Sequence, residues 1–320
     1  MTIRQSVRFG FPTTVLAALT LLTAPATAVQ QPQAGPANRT KVVLLGTGTP
    51  QPSPERSGPS TAIVVNDTAY LVDFGPGVVR RASAAATTRG ITALAPVNLR
   101  VAFVTHLHSD HTVGYADLIF TPWVVGRRVP LETYGPKGLK AMTEHLREAY
   151  RVDIETRTNP DGNQRTFADG HKVNAHDITS GVVYKDANVT VTAFATKHAM
   201  ESYGYRFDTT DRSIVITGDT SPTQATIDAC RGCDVLIHEV HTPAWLAARP
   251  EAGGAPPGTF RRFSEKYHTT TPELAELARQ AKPRLLILYH YSSRSPEELQ
   301  SDMMSRYAGH FVIGRDLDVY

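Results

Sequence analysis

The chain has 320 residues, 41% of them hydrophobic and 20% charged. That balance excludes a disordered or fibrous protein and leaves enough apolar surface for a sizeable core. Its 33 Lys and Arg against 30 Asp and Glu give a formal charge of +3, which makes no electrostatic case for a large polyanionic partner such as nucleic acid.

Residues 1–28 read as a secretory signal peptide. Arg4 and Arg8 form a basic start, Thr13 to Leu22 an apolar core too short for a permanent membrane span, and Ala26-Thr27-Ala28 a small-residue cleavage site. Cleavage after Ala28 would export the chain, periplasmic or secreted, and leave 31 basic against 30 acidic side chains, a formal charge of +1. Residues 29–40, with Gln30, Gln31, Pro32, Gln33 and Pro36, read as a disordered linker. The folded domain is expected over 41–320.

Val42 to Leu45 predicts a strand ending in Gly46-Thr47-Gly48-Thr49-Pro50. The missing third glycine, with Pro50 and Pro52, excludes a dinucleotide-binding loop. Ala62–Asn66 and Tyr70–Asp73 predict two more strands, joined by a turn at Asn66-Asp67-Thr68. Asp73 is either a surface carboxylate or a group that orients a metal-bound imidazole. Val78 to Thr87 predicts a helix.

The apolar run Leu99 to Val104 predicts a buried strand leading into Thr105-His106-Leu107-His108-Ser109-Asp110-His111. Alternate residues of an extended segment share a face, so His106 and His108 point the same way. Ser109 is expected to cap a helix reaching Phe120, which places Asp110 and His111 in its first turn. Neutral imidazole with carboxylate is a donor set that suits zinc.

Further on, Pro130–Tyr134 predicts a strand, Lys137–Tyr150 an amphipathic helix, and Asn159–Gln164 a polar loop. Val182–Tyr184 and Val189–Phe194 predict a hairpin around Lys185-Asp186-Ala187-Asn188. His198, Asp219 and His290 each follow a predicted strand. They complete two sets, His106, His108 and His198 for one metal and Asp110, His111 and His290 for another, with Asp219 offering an oxygen to each. Cys230 and Cys233 are either a local disulfide, which export favours, or two buried thiols. Strands and helices interleave, so the fold class is α/β and a layered sandwich.

These residues resemble the metallo-β-lactamase superfamily, in its ribonuclease Z-like branch. The likeness runs from Val42 to Arg294 through Leu45-Gly46-Thr47-Gly48, Asp73-Phe74-Gly75-Pro76-Gly77, His106 to His111, Ser202-Tyr203-Gly204-Tyr205-Arg206, Thr217-Gly218-Asp219-Thr220, His238-Glu239, His268-Thr269-Thr270 and Tyr289-His290-Tyr291-Ser292. It implies a four-layer αβ/βα sandwich, a dinuclear zinc site on one edge with the same ligand grouping, and, for many relatives, a homodimer. Other divalent metals suit the same donors.

Many ribonucleases Z carry a tRNA-gripping arm between the equivalents of His198 and Asp219, which here stand only 21 residues apart. Thr121 to Arg127 and Gly181 to Tyr184 look similar to a secreted branch that includes metal-dependent arylsulfatases. The resulting expectation is an exported dinuclear zinc hydrolase that cleaves a small anionic sulfate ester. The alternative is a phosphodiesterase or ribonuclease Z-like phosphoester hydrolase. In either, zinc lowers the pKa of a bound water towards neutrality. Asp110 would orient that nucleophile, and His268, poised by Glu239, would protonate the leaving group; the plainer role for His268 is a helix start before Thr271. His238, His145, His171, His176 and His310 are expected to be solvated or structural. An insertion over 241–266, carrying Trp245 and Phe260, is a lid or a surface loop.

Overall fold

A computed structural model describes residues 40–159, 167–251 and 255–320. The leader and most of the linker lie outside these residues, as does most of the predicted polar loop. Among the described residues no helix is long and apolar enough to cross a membrane.

The strands are β1 (Thr40–Gly46), β2 (Ser60–Val65), β3 (Thr68–Val72), β4 (Val101–Phe103), β5 (Leu131–Gly135), β6 (Val173–Asp177), β7 (Gly181–Lys185), β8 (Thr190–Ala195), β9 (Tyr203–Asp208), β10 (Ser213–Ile216), β11 (Val235–His241), β12 (Leu285–Ser292) and β13 (Phe311–Ile313). They form two sheets. In the first, β1 to β6 lie in sequence order, antiparallel as far as β3 and parallel beyond. In the second, β7 to β13 repeat that plan, antiparallel as far as β10 and parallel beyond.

Side-chain alternation explains why the strands are apolar on both faces. Val42, Leu44, Ile63 and Val65 point between the sheets, where they meet Ile214, Ile216, Val235 and Ile237 from the other half. Their neighbours Val43, Leu45, Ala62 and Val64 point outwards under the helices Val78–Thr88, Tyr115–Val124 and Leu139–Ala149. Val215, Leu236, Leu286 and Leu288 do the same under Gln224–Cys230, Thr271–Ala281 and Pro296–Met304. The order is helix, sheet, sheet, helix: the expected αβ/βα sandwich of the α/β class. Phe103 centres the inner layer, fully buried against Tyr134, Tyr184, Tyr205 and Phe207.

Several local expectations need correction. The helix predicted from Ser109 to Phe120 is two helices, Ser109–Thr112 and Tyr115–Val124, and Ser109 caps neither. The break falls at Gly114, packed so tightly that a Cβ there would lie 2.3 Å from the Gly75 carbonyl oxygen. The strand expected to end at Tyr289 runs on to Ser292 through a bulge at His290. β6, β9, β11 and β13 were not foreseen as strands. Cys230 and Cys233 are joined as a disulfide.

Candidate metal centre

Four segments leave the sheets at one edge and bring their donors together. The β4 exit carries His106 to His111, the β8 exit His198, the β10 exit Asp219, and the β12 bulge His290. A bulge re-aims the side chain of its extra residue. His290 is that residue, with φ 45° and its Nδ1–H donated to the Gly48 carbonyl at 2.6 Å. Gly218 has φ 62°, and a Cβ there would strike the Thr105 side chain at 2.6 Å; only glycine lets Asp219 come this close to the histidine segment.

The donors fall into the two predicted groups. His106 Nε2 and His198 Nε2 each lie 3.0 Å from His108 Nδ1, and Asp219 Oδ2 is 3.9 Å from His106 Nε2. On the other side, Asp219 Oδ1 is 3.3 Å from both His111 Nε2 and His290 Nε2. Asp110 Oδ2 completes this group at 3.5 Å from His111 Nε2 and 3.7 Å from His290 Nε2. The two oxygens of one carboxylate therefore face different groups.

Proton positions decide what these groups hold. His111 donates Nδ1–H to Asp73 Oδ2 at 2.8 Å, and His198 donates Nδ1–H to the Tyr267 carbonyl at 3.2 Å. His106 donates Nδ1–H to Thr105 Oγ1 at 3.0 Å, and that hydroxyl donates in turn to Asp73. With His290, four imidazoles thus have the outer nitrogen committed to a hydrogen bond and turn the other nitrogen inwards. His108 Nδ1 can donate to only one of its two neighbours. Asp110 Oδ2, His111 Nε2 and Asp219 Oδ1 are buried without any hydrogen bond. Burial drives His198 down to about 4 and His106 well below the ordinary range, so both stay neutral. At His111 burial also opposes charge, but the Asp73 and Asp219 carboxylates outweigh it and raise the imidazole. Converging ring nitrogens and carboxylate oxygens in a strongly negative field fit a divalent metal ion, and the donors are those of zinc-type sites.

Asp73 is not a surface carboxylate. It is buried, with φ 62°, and accepts from His111, Thr105 Oγ1 and the Thr105 N–H at 2.8 Å.

A third cluster adjoins the metal edge. His268 donates Nδ1–H to Glu239, 2.9 and 3.0 Å from its two oxygens, and Glu239 also accepts the Thr220 N–H at 2.8 Å. Burial disfavours charge on His268, but Glu239 outweighs that and lifts its pKa to about 9. Sequence reasoning gave His241 no role. Its ring stacks on His268, centroids 4.7 Å apart, and its Nδ1 lies 2.9 Å from Ser264 Oγ. The available signal was the period of two that puts Glu239 and His241 on one face of β11.

His108, Asp110, Asp219, His268 and His290 line a cavity of about 120 Å³. The 241–266 insertion adds Trp245, Arg249, Phe260 and Phe263 to its lining. It is a wall of the site. Phe263 and Arg249 escaped the sequence reading, although Phe260, Phe263 and Tyr267 share the helical spacing of Thr259–Tyr267.

The beta-lactamase superfamily domain matches residues 68–291. A ribonuclease Z of Mycobacterium sp. strain KMS is 34% identical over 279 residues, covering 85% of this chain and 90% of that protein. The chain belongs to the metallo-β-lactamase superfamily, in its ribonuclease Z-like branch. Ribonuclease Z of Mycobacterium bovis BCG Pasteur is 29% identical over 87% of this chain and 96% of its own length. The short form of human tRNase Z shares the fold of this superfamily member, with a TM-score of 0.62 and 21% identity over 88% of this chain and 98% of its own. The Bacillus subtilis metallo-β-lactamase fold protein YhfI does so with a TM-score of 0.63 and 18% identity over 88% and 99%.

With this family and fold, the chain is a metal-dependent hydrolase acting on ester bonds; its relatives are named for ribonuclease activity, a phosphoester chemistry, and this corrects the sulfate-ester expectation. The segments that suggested an arylsulfatase do not form the site. Trp123 is buried under the first sheet, its Nε1–H donated to Phe167, and Arg127 spends its guanidinium on the carbonyls of Leu99, Leu118, Ile119 and Gly170. Gly181 to Tyr184 is part of the edge strand β7. The expectation that nucleic acid is an unlikely partner, drawn from net charge, runs against relatives named for ribonuclease activity. Whole-chain charge is a poor guide where a few side chains and metal ions set the local potential.

Replacing Asp73 by Asn keeps its shape and tolerates positive φ, but removes the charge that fixes the His111 tautomer. Metal affinity in a chelator competition should fall roughly 10- to 100-fold. An unchanged affinity would show that Asp73 does not tune the site.

Proposed function

We propose that the chain hydrolyses phosphodiesters, RNA included, at a pair of zinc ions. The observation that carries this reading is the Asp219 carboxylate set between two groups of inward lone pairs. His106, His108 and His198 with Asp219 would hold one ion, and Asp110, His111 and His290 with Asp219 the other. When bound, such a pair supplies an ionised water at neutral pH and positive charge for the non-bridging oxygens of the ester. Asp110, at the cavity wall, would orient the attacking oxygen.

His268 would protonate the leaving oxygen. Its Nδ1 is committed to Glu239, which keeps the ring charged and leaves Nε2 to donate. Glu239 holds that proton on His268 against the cost of burial, and His268 lines the cavity where a leaving oxygen would sit. The narrow cavity favours a single-stranded end or a small diester over a stem, since typical small-molecule sites are several hundred Å³.

The succession of charge, apolar core and small residues over 1–28 supports export before the enzyme acts, and the Cys230–Cys233 disulfide suits an oxidising compartment. N-terminal sequencing of protein recovered from outside the cytoplasm should begin at Val29; a sequence starting at Met1 would contradict this.

General acid catalysis predicts a split in leaving-group dependence. His268→Ala should slow zinc-loaded enzyme about 100-fold or more on a diester with a ribose leaving group, and far less on bis(p-nitrophenyl) phosphate. Equal losses on both substrates would remove His268 as the acid.

A further inference from the structure

The part of the cavity wall that 241–266 contributes holds a cation stacked on aromatic rings. Trp245 and Phe260 meet edge to face, centroids 5.9 Å apart at 82°. The Arg249 guanidinium carbon lies 3.9 Å from the Phe260 centroid and 5.0 Å from that of Trp245. Glu251, the carboxylate nearest in sequence, is engaged by the Phe260 N–H at 3.0 Å. Among the described residues Arg249 makes no hydrogen bond, and the charge of Glu251 reaches it only through space. It is also the one Lys or Arg among the described residues that line the cavity.

Stacking on an aromatic ring uses the face of a guanidinium and leaves its in-plane donors free. Those donors form a fixed fork that matches two oxygens of a phosphate. A fork already held in place loses little further freedom when it binds, which favours affinity. On the phosphodiesterase reading the scissile phosphate would be held by the candidate metal groups around Asp110 and Asp219, which line the same cavity. The anion left for Arg249 is a different one.

We infer that Arg249, held on the Trp245–Phe260 pair, binds a second phosphate carried by the same substrate. The inference rests on the phosphodiesterase reading and narrows it to substrates bearing a phosphate beside the bond that is cut.

Binding, rather than turnover, tests this directly. Calorimetry on zinc-loaded protein compares adenosine 3′,5′-bisphosphate with adenosine 3′- and 5′-monophosphate. The bisphosphate should bind roughly tenfold tighter or more than either monophosphate, the worth of a charge-assisted hydrogen-bonded pair. Arg249→Gln should collapse that ratio towards one, and Arg249→Lys, which keeps the charge but not the fork, should retain part of it. No preference in the unsubstituted protein, or the same preference in Arg249→Gln, overturns the inference. Turnover of bis(p-nitrophenyl) phosphate scores the diesterase reading separately. If that ester is untouched while the binding ratio behaves as expected, the diesterase reading falls and the anion site stands.

Discussion

Lone pairs do not tolerate one another at hydrogen-bond distance without a proton or a cation between them. At the edge of this sandwich four imidazoles have their protons drawn to the outer nitrogen by Thr105, Asp73, Tyr267 and Gly48, and two carboxylates face the same space. Much of the surrounding structure follows from keeping that arrangement in place. Asp73 and His290 adopt positive φ although neither is glycine, and Gly218 is glycine because nothing larger fits against Thr105. Strain of this kind persists only where the surroundings over-determine it.

The fold supplies those surroundings by repetition. Each half begins antiparallel and ends parallel, and the halves pack face to face on one apolar layer. Strand exits from both sheets then open onto a shared rim, so residues as far apart in sequence as Asp73 and His290 serve one site. Donors on rigid strand ends are held more tightly than donors on loops. The 241–266 segment adds what the sandwich lacks, an aromatic and cationic wall that closes the rim into a cavity.

The sequence made the local part of this legible. His106, His108, Asp110 and His111 crowd one turn after an apolar strand, a pattern with few structural explanations. Strand period exposed β1 to β5, because alternate residues there are apolar for two different layers. β11 was missed because His238, Glu239 and His241 interrupt its apolar run, although all three are buried. β6 was missed because Asn174, His176 and Asp177 give it the composition of a loop. The helix from Ser109 was drawn too long because the pressure that breaks it at Gly114 comes from Gly75, distant in sequence. Substrate was the least legible feature. Net charge and the segment Thr121 to Arg127 pointed towards a small sulfate ester, and no residue of that segment lines the cavity. Arg249 gives no signal in sequence, since its significance lies in the aromatic rings beneath its guanidinium.

The account stands on one carboxylate serving two cations. Anomalous scattering from crystals of zinc-loaded protein, recorded at the zinc edge, tests this most directly. Two peaks are expected, one enclosed by His106, His108 and His198, the other by Asp110, His111 and His290, with Asp219 between them. A single peak, or zinc located away from Asp219, would contradict it.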